Sequence, residues 1–296
     1  MQITIHIGFP KCASSTLQAY FADNAAFHRG HGLLYPDAHR QPKGYRSHRP
    51  LLEPDLDPSR AVAEILEEAR QAGCDRILLS AEDFSTDRSG RLQALTDGFR
   101  AQVPEASVTL VCLLRDPVEM LRSSYFQFIR GGLWGIDRPA FYRRPDISIN
   151  GYIEAFHASR GCHWYEYDTL LNAALKEVRA DRLYVRATDA ETGVLDQVRA
   201  ILALPEGTVS PDQNTRHSAR TIKLLRSFQR DFGEALYVRN RKVLLRRVDL
   251  SGPDYSEAEA VRDGMDLPRD ELLARYPDME AHRRAALAME RAPEGA

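Results

Sequence analysis

The residues Ser107–Leu114, SVTLVCLL, are apolar at almost every position. A strand with one wet face alternates apolar and polar residues. A run this continuous must be covered on both faces, as strands inside a parallel sheet are. Parallel strands need crossover connections, and the chain supplies helix-like segments between its strand-like ones. Ile3–Ile7 reads as a first strand, followed by a loop and a helix from about Ser15 to Phe27. Pro58–Ala72 reads as a helix with Ala61, Ile65 and Leu66 on one face and a stop at Gly73. Arg76–Ser80 is strand-like, Gly90–Gln102 helical, and Leu183–Val185 a later short strand. After the apolar run, Asp116 caps a helix with Pro117 at its first position, running to Gly131. The alternation implies an α/β arrangement around a central parallel sheet.

Gly30–Pro58 and Gly131–Ser148 look irregular, and both are long for plain connectors. From Pro211 onward the chain reads as mostly helical and polar. No clear linker appears, so the expectation is a single domain over residues 1–296: an α/β core over 1–205 and a mainly helical extension over 206–296. The N-terminus reads as a strand rather than a signal peptide, and no window approaches a transmembrane helix. With 40 basic against 42 acidic residues, a global grip on nucleic acid is excluded and any anion site must be local. The four cysteines (Cys12, Cys74, Cys112, Cys162) form no C-x-x-C pair and fit reduced thiols in a cytoplasmic protein. Self-association into a homo-oligomer stays open.

The first strand runs straight into Gly8-Phe9-Pro10-Lys11-Cys12-Ala13-Ser14-Ser15-Thr16, which opens a helix. Small residues let backbone N–H groups turn inward, the helix N-terminus adds its dipole, and Lys11 adds a full charge. Together these make an anion cradle. The alternative is a Ser-rich helix cap with a surface lysine. It is not a Walker A loop, which needs Gly-Lys-Ser/Thr at the helix end, nor a G-x-G-x-x-G fingerprint.

At these residues, FPKCASSTLQ, the sequence resembles the 5′-phosphosulfate loop of the sulfotransferases that use PAPS (3′-phosphoadenosine-5′-phosphosulfate). Cys12-Ala13 stands where many members have Thr-Gly, which keeps the side chains small. Val111–Gly131, with Arg115 leaving the strand and Ser123 eight residues on, resembles the family's 3′-phosphate motif. Leu79–Phe84 (LSAEDF) and Tyr165–Arg186 resemble segments of bacterial carbohydrate-type members. The resemblance covers roughly residues 1–205. It implies a P-loop-like three-layer α/β fold and transfer of a sulfuryl group from PAPS to a hydroxyl, on a carbohydrate or glycolipid, releasing PAP (the 3′,5′-bisphosphate).

In that setting Lys11 would stabilise charge on the leaving phosphate. Amides and side chains of Cys12, Ala13, Ser14, Ser15 and Thr16 would hold the 5′-phosphate, while Arg115 and Ser123 would hold the 3′-phosphate. Without the resemblance, Arg115 pairs with a neighbouring carboxylate and Ser123 packs in its helix. The family needs no metal, and no metal-ligand spacing occurs. The acceptor needs a base: Glu82, just past its strand, is the first candidate, His48 in the loop GYRSHRPL the second, and Asp83 a weaker alternative. Each also reads as a capping or solvated group. His6, inside the first strand, reads as core packing.

Residues 216–247 hold ten basic side chains against Asp231 and Glu234. They read as a solvated helix face, or as a surface for an anionic acceptor. Trp134, Tyr142, Arg143 and Arg144 could flank a sugar, or simply pack. The rival readings are a P-loop kinase, which would need Mg²⁺–ATP and a Walker lysine, and a non-catalytic nucleotide-binding or scaffold protein.

Overall fold

The computed structural model describes residues 1–41, 46–87, 89–131, 136–205, 218–247 and 256–290. In chain order the elements are β1 (Gln2–Ile7), α1 (Ser14–Asp23), α2 (Ala25–Gly30), β2 (Leu33–Leu34), α3 (Pro58–Gln71) and β3 (Arg76–Ala81). Then come α4 (Arg91–Gln102), β4 (Ser107–Leu114), α5 (Pro117–Gly131), α6 (Arg138–Tyr142) and α7 (Ile149–Arg160). After these follow α8 (Tyr167–Glu177), β5 (Arg182–Ala187) and α9 (Val194–Ile201). The chain closes with α10 (Ala219–Phe232), α11 (Glu234–Arg247), α12 (Glu257–Arg262), α13 (Arg269–Arg275) and α14 (Met279–Leu287).

The five strands form one all-parallel sheet in the order β2-β3-β1-β4-β5, flanked by helices. Strand β1 is central. Its Ile3, Ile5 and Ile7 are fully buried, and Thr4 and His6 are buried on its other face. The apolar run of β4 is buried from Leu110 to Leu114 without a break, as two covered faces require. The chain travels from β1 outward to β2 on one side and, by way of β4, to β5 on the other. The connections that leave β1 and β4 therefore part at the C-terminal edge, where open α/β sheets bind ligands.

The residues divide into two compact units. One holds Met1–Asp116, Tyr167–Asn214 and His282–Ala296; the other holds Pro117–Glu166 and Thr215–Ala281. The first carries the sheet with α1–α4, α8 and α9. The second is helical, and the division does not follow the expected boundary at residue 205. In the second unit Arg226 is almost fully buried and acts as a strut. It donates to Tyr125 Oη at 2.8 Å and to the carbonyls of Asp263 at 2.6 Å and Gly264 at 3.0 Å.

Several local expectations shift. The helix expected over Ser15–Phe27 breaks at Asn24, whose side chain donates to the Tyr20 carbonyl at 2.9 Å and so closes α1. The segment Gly30–Pro58 contains β2, two residues too short to show a period, and a 3₁₀ turn at Arg49–Leu52. The short α6 lies inside the segment read as irregular, with Asp137 as its N-cap. Arg182–Ala187 is longer than the strand expected at 183–185.

Ile5 stands at the centre of the sheet and Asp57 caps α3 through Ser59 N–H at 2.9 Å. In urea unfolding, Ile5→Ala is expected to cost about 2–5 kcal/mol, and Asp57→Ala about 1 kcal/mol. Equal costs would contradict this account of the core.

Candidate functional site

Parallel register brings Ile7 level with Ala81, and Leu114 level with Ala187. The residues that follow β1, β3 and β4 therefore leave the sheet at one edge. Lys11, Glu82 and Arg115 lie in those three segments, all within the first unit.

The loop after β1 is built on strained backbone. Lys11 and Ala13 both have left-handed φ, 65° and 64°. Non-glycine residues rarely adopt this, and alternation of the two hands turns successive amides toward a common side. Ala13 thus takes the conformation that glycine would take at no steric cost. Cys12 N–H turns back to the Phe9 carbonyl at 3.3 Å, and the helix ladder begins with Leu17 N–H to Ala13 O at 3.2 Å. The amides of Ser14, Ser15 and Thr16 precede that first bond and have no carbonyl one turn back. At Gly8 the packing is close: a Cβ there would lie 2.5 Å from Ser14 Oγ and 3.0 Å from His6 Cε1, so one of these side chains would have to move. The Ser14 hydroxyl is buried with no partner in hydrogen-bonding geometry.

Cys12, next to Lys11 in the loop, is fully buried. Its thiol is pushed up to about 12, first by burial, with Glu82 adding to the rise and Arg115 and Lys11 opposing it. It is a packing thiol, inert as a nucleophile. The charges of Glu82, Arg115 and Lys11 are all near enough to act on it. Glu82 is the first residue of a 3₁₀ turn that continues β3. Burial raises its carboxyl to about 7 against the pull of Lys11. Asp83 adds to the rise, and the nearby Ser14 hydroxyl slightly offsets it. Asp83 is raised by burial and held by Arg49, whose Nε lies 3.5 Å from Oδ1. Arg115 is partly exposed, and its carbonyl accepts from Tyr167 Oη at 3.1 Å. The Tyr167 ring packs 5.2 Å from Phe9 at the start of the loop.

His48 does not fit the role of base. It is 0% exposed, and both ring nitrogens are used. Nδ1 accepts from Ser80 N–H at 3.2 Å, and Nε2 donates to the Pro36 carbonyl at 3.1 Å. Burial pulls its pKa down to about 3. It pins its loop to β3, and a proton from an acceptor has nowhere to go on it. Residues 42–45 of that loop lie outside the described residues.

Ser123 stands partly exposed on α5, in the second unit. Trp134 and Arg216 lie outside the described residues. The basic segment splits by role. Arg226 and Lys223 make internal bonds, the latter to Asp263 at 2.6 Å, whereas Arg239 and Lys242 are exposed. Among the described residues no helix is long and apolar enough to cross a membrane, and no cluster of three His, Cys, Asp or Glu is placed to hold a metal.

His6 is more than the packing residue expected. Its Nδ1 meets Ser80 Oγ at 2.8 Å, and Gln18 Nε2 donates to the same oxygen at 3.2 Å. These partners are 74 and 62 residues apart in sequence, so no local signal could pair them.

Neither a family model nor a curated protein matches the chain. Among solved structures, a sulfotransferase from Alicyclobacillus acidocaldarius is similar at 15% identity, over 82% of this chain and 98% of that one, with a TM-score of 0.40. At that distance the likeness bears on neither activity nor substrate.

Proposed function

We propose that this chain is a sulfotransferase that moves the sulfuryl group of PAPS to a hydroxyl, on a carbohydrate or glycolipid acceptor. The observation that carries the reading is the strained loop at the C-terminal edge of β1, with Glu82 and Arg115 following β3 and β4 at the same edge. A donor with three anionic groups fits that set: the first amides of α1 are without a helical carbonyl partner, and Lys11 and Arg115 supply two cations at the same sheet edge. A kinase would need a Walker lysine, and Lys11 precedes the helix instead.

Glu82 takes the acceptor's proton as the acceptor oxygen bonds to sulfur. The sulfur–oxygen bond to the 5′-phosphate breaks, and the electron pair stays on that phosphate. Lys11 neutralises the charge that builds there. Loop amides from Ala13 to Thr16 hold the 5′-phosphate. Arg115 binds the 3′-phosphate. With a pKa of about 7, Glu82 is available as a base at neutral pH yet binds a proton well, as general-base catalysis requires.

Isothermal titration with PAP in the absence of metal is expected to give micromolar binding, with little response to Mg²⁺–ATP. The reverse pattern would remove the donor assignment. Lys11→Ala is expected to keep its circular dichroism and lose about 10²–10³ in kcat; full turnover would end its role. Because the ionised form of Glu82 is the base, kcat/KM is expected to rise with pH through about 7 and then level off. Glu82→Gln should bind PAP normally, lose that limb and fall by about 10²–10⁴ in rate. A carboxyl whose pKa rises on folding opposes stability once ionised, so Glu82→Gln should also melt higher than the wild type at alkaline pH.

A further inference from the structure

Helix α11, in the second unit, carries apolar residues on more than its packed side. Tyr237 is its buried anchor: the ring lies 6.4 Å from that of Phe228 on α10, and Oη donates to the Arg130 carbonyl at 2.7 Å. Arg241 and Leu244, four and seven residues on, share that side and are half-buried. At helical spacing, Leu236, Arg239 and Val243 form one row on the opposite side, and Ala235, Val238 and Lys242 form a second row beside it. All six are exposed. Only Gly233, with a left-handed φ of 80°, joins α10 to α11. Phe232, the last residue of α10, therefore stands four residues of chain from Leu236. Its ring packs 4.9 Å from Phe228, and with Leu224 the two fall on one row of α10, four residues apart.

Among the described residues, the exposed large apolar side chains are Leu224, Phe232, Leu236, Val238 and Val243, each between 42% and 61% exposed. Apolar residues scattered singly over a surface need no explanation, but here all five fall on two consecutive helices. The charge beside them says what meets that face. Glu234–Arg247 holds five basic residues against one acidic, in a chain with 40 basic against 42 acidic. Arg230 is answered by Asp231 at 2.8 Å and Arg241 lies beside Tyr237, so Arg239 and Lys242 are the outward cations of α11.

The core of a protein–protein interface is depleted in charge, and in lysine especially. On α11 each exposed apolar row contains a cation. A second copy laid on the same helix would set like charges against each other. A bilayer surface accepts both kinds of side chain: apolar groups enter the acyl boundary, while Arg and Lys run their stems along it and reach the lipid phosphates. With 14 residues, α11 is about 21 Å long, too short to cross ~30 Å of hydrocarbon, so it lies on such a surface and does not span it.

We propose that α11 and the C-terminal end of α10 dock the protein on an anionic lipid surface. Phe232, Leu236, Val238 and Val243 enter the interface, and Arg239 and Lys242 hold headgroup phosphates. The contact rests on these two helices and does not need the sulfuryl-transfer reading.

Co-sedimentation of the full chain with lipid vesicles tests this. Binding is expected to mixed phosphatidylglycerol–phosphatidylcholine vesicles at ~0.1 M salt, weakening as salt rises, with little binding to phosphatidylcholine alone. Arg239→Gln combined with Lys242→Gln should weaken binding by about tenfold or more. Leu236→Gln combined with Val243→Gln should weaken it by about the same factor. Both pairs change exposed positions and should keep the wild-type circular dichroism. In Phe232→Trp, brominated lipid should quench the fluorescence more strongly than in the wild type. Absence of binding to the anionic vesicles, undiminished binding by the apolar pair, or a tryptophan at 232 that brominated lipid does not quench would overturn the proposal. A solution dimer that the apolar pair dissociates would also overturn it, and would make the face a subunit interface. Calorimetry with PAP uses no lipid, so failure of the donor reading and failure of the docking surface are seen separately.

Discussion

Strand β1 is hydrogen-bonded on both edges and covered on both faces, and the site follows from that confinement. A chain leaving the centre of a sheet has no room to drift, so it must turn at once. Here the turn is taken by Gly8 and by two residues with left-handed backbone, Lys11 and Ala13. That strain is sustained because α1 docks immediately afterward, with Leu17, Ala19, Tyr20 and Phe21 buried. The loop that would cradle an anion is thus held by the core beneath it.

The electrostatics of the edge come from the same burial. Glu82 is raised to about 7 because it has lost water, and it remains ionisable because Lys11 stands across from it. Cys12 stays a neutral thiol because it too is buried. His6 and His48 are buried as neutral rings that serve as hydrogen-bonding struts around Ser80. Burial thereby sets a carboxylate near neutrality and keeps two histidines uncharged.

Much of the fold was legible. The near-continuous apolar run at Ser107–Leu114 marked a strand covered on both faces, the alternating Ile3–Ile7 marked a first strand without showing that its second face is also covered, and Pro58 and Pro117 marked helix starts. Elements without a period of their own stayed hidden: β2 has two residues, and the break at Asn24 depends on one side chain folding back on Tyr20. At the site, Lys11, Glu82 and Arg115 could be found because each sits one short step beyond a recognisable strand. The standing of His48 could not be read. A histidine in a Pro- and Arg-rich loop looks solvated until the loop is seen pinned against Ser80 and Pro36.

The sequence alone determined which segments become strands and helices, in what order, and which chemical groups stand at the strand ends, because periodicity, capping and turn chemistry are local. Tertiary structure decided which of those groups share an environment. Burial depends on what packs across the gap, so the raised Glu82, the spent nitrogens of His48 and the unpartnered Nε2 of His6 exist only after residues tens of positions apart have met.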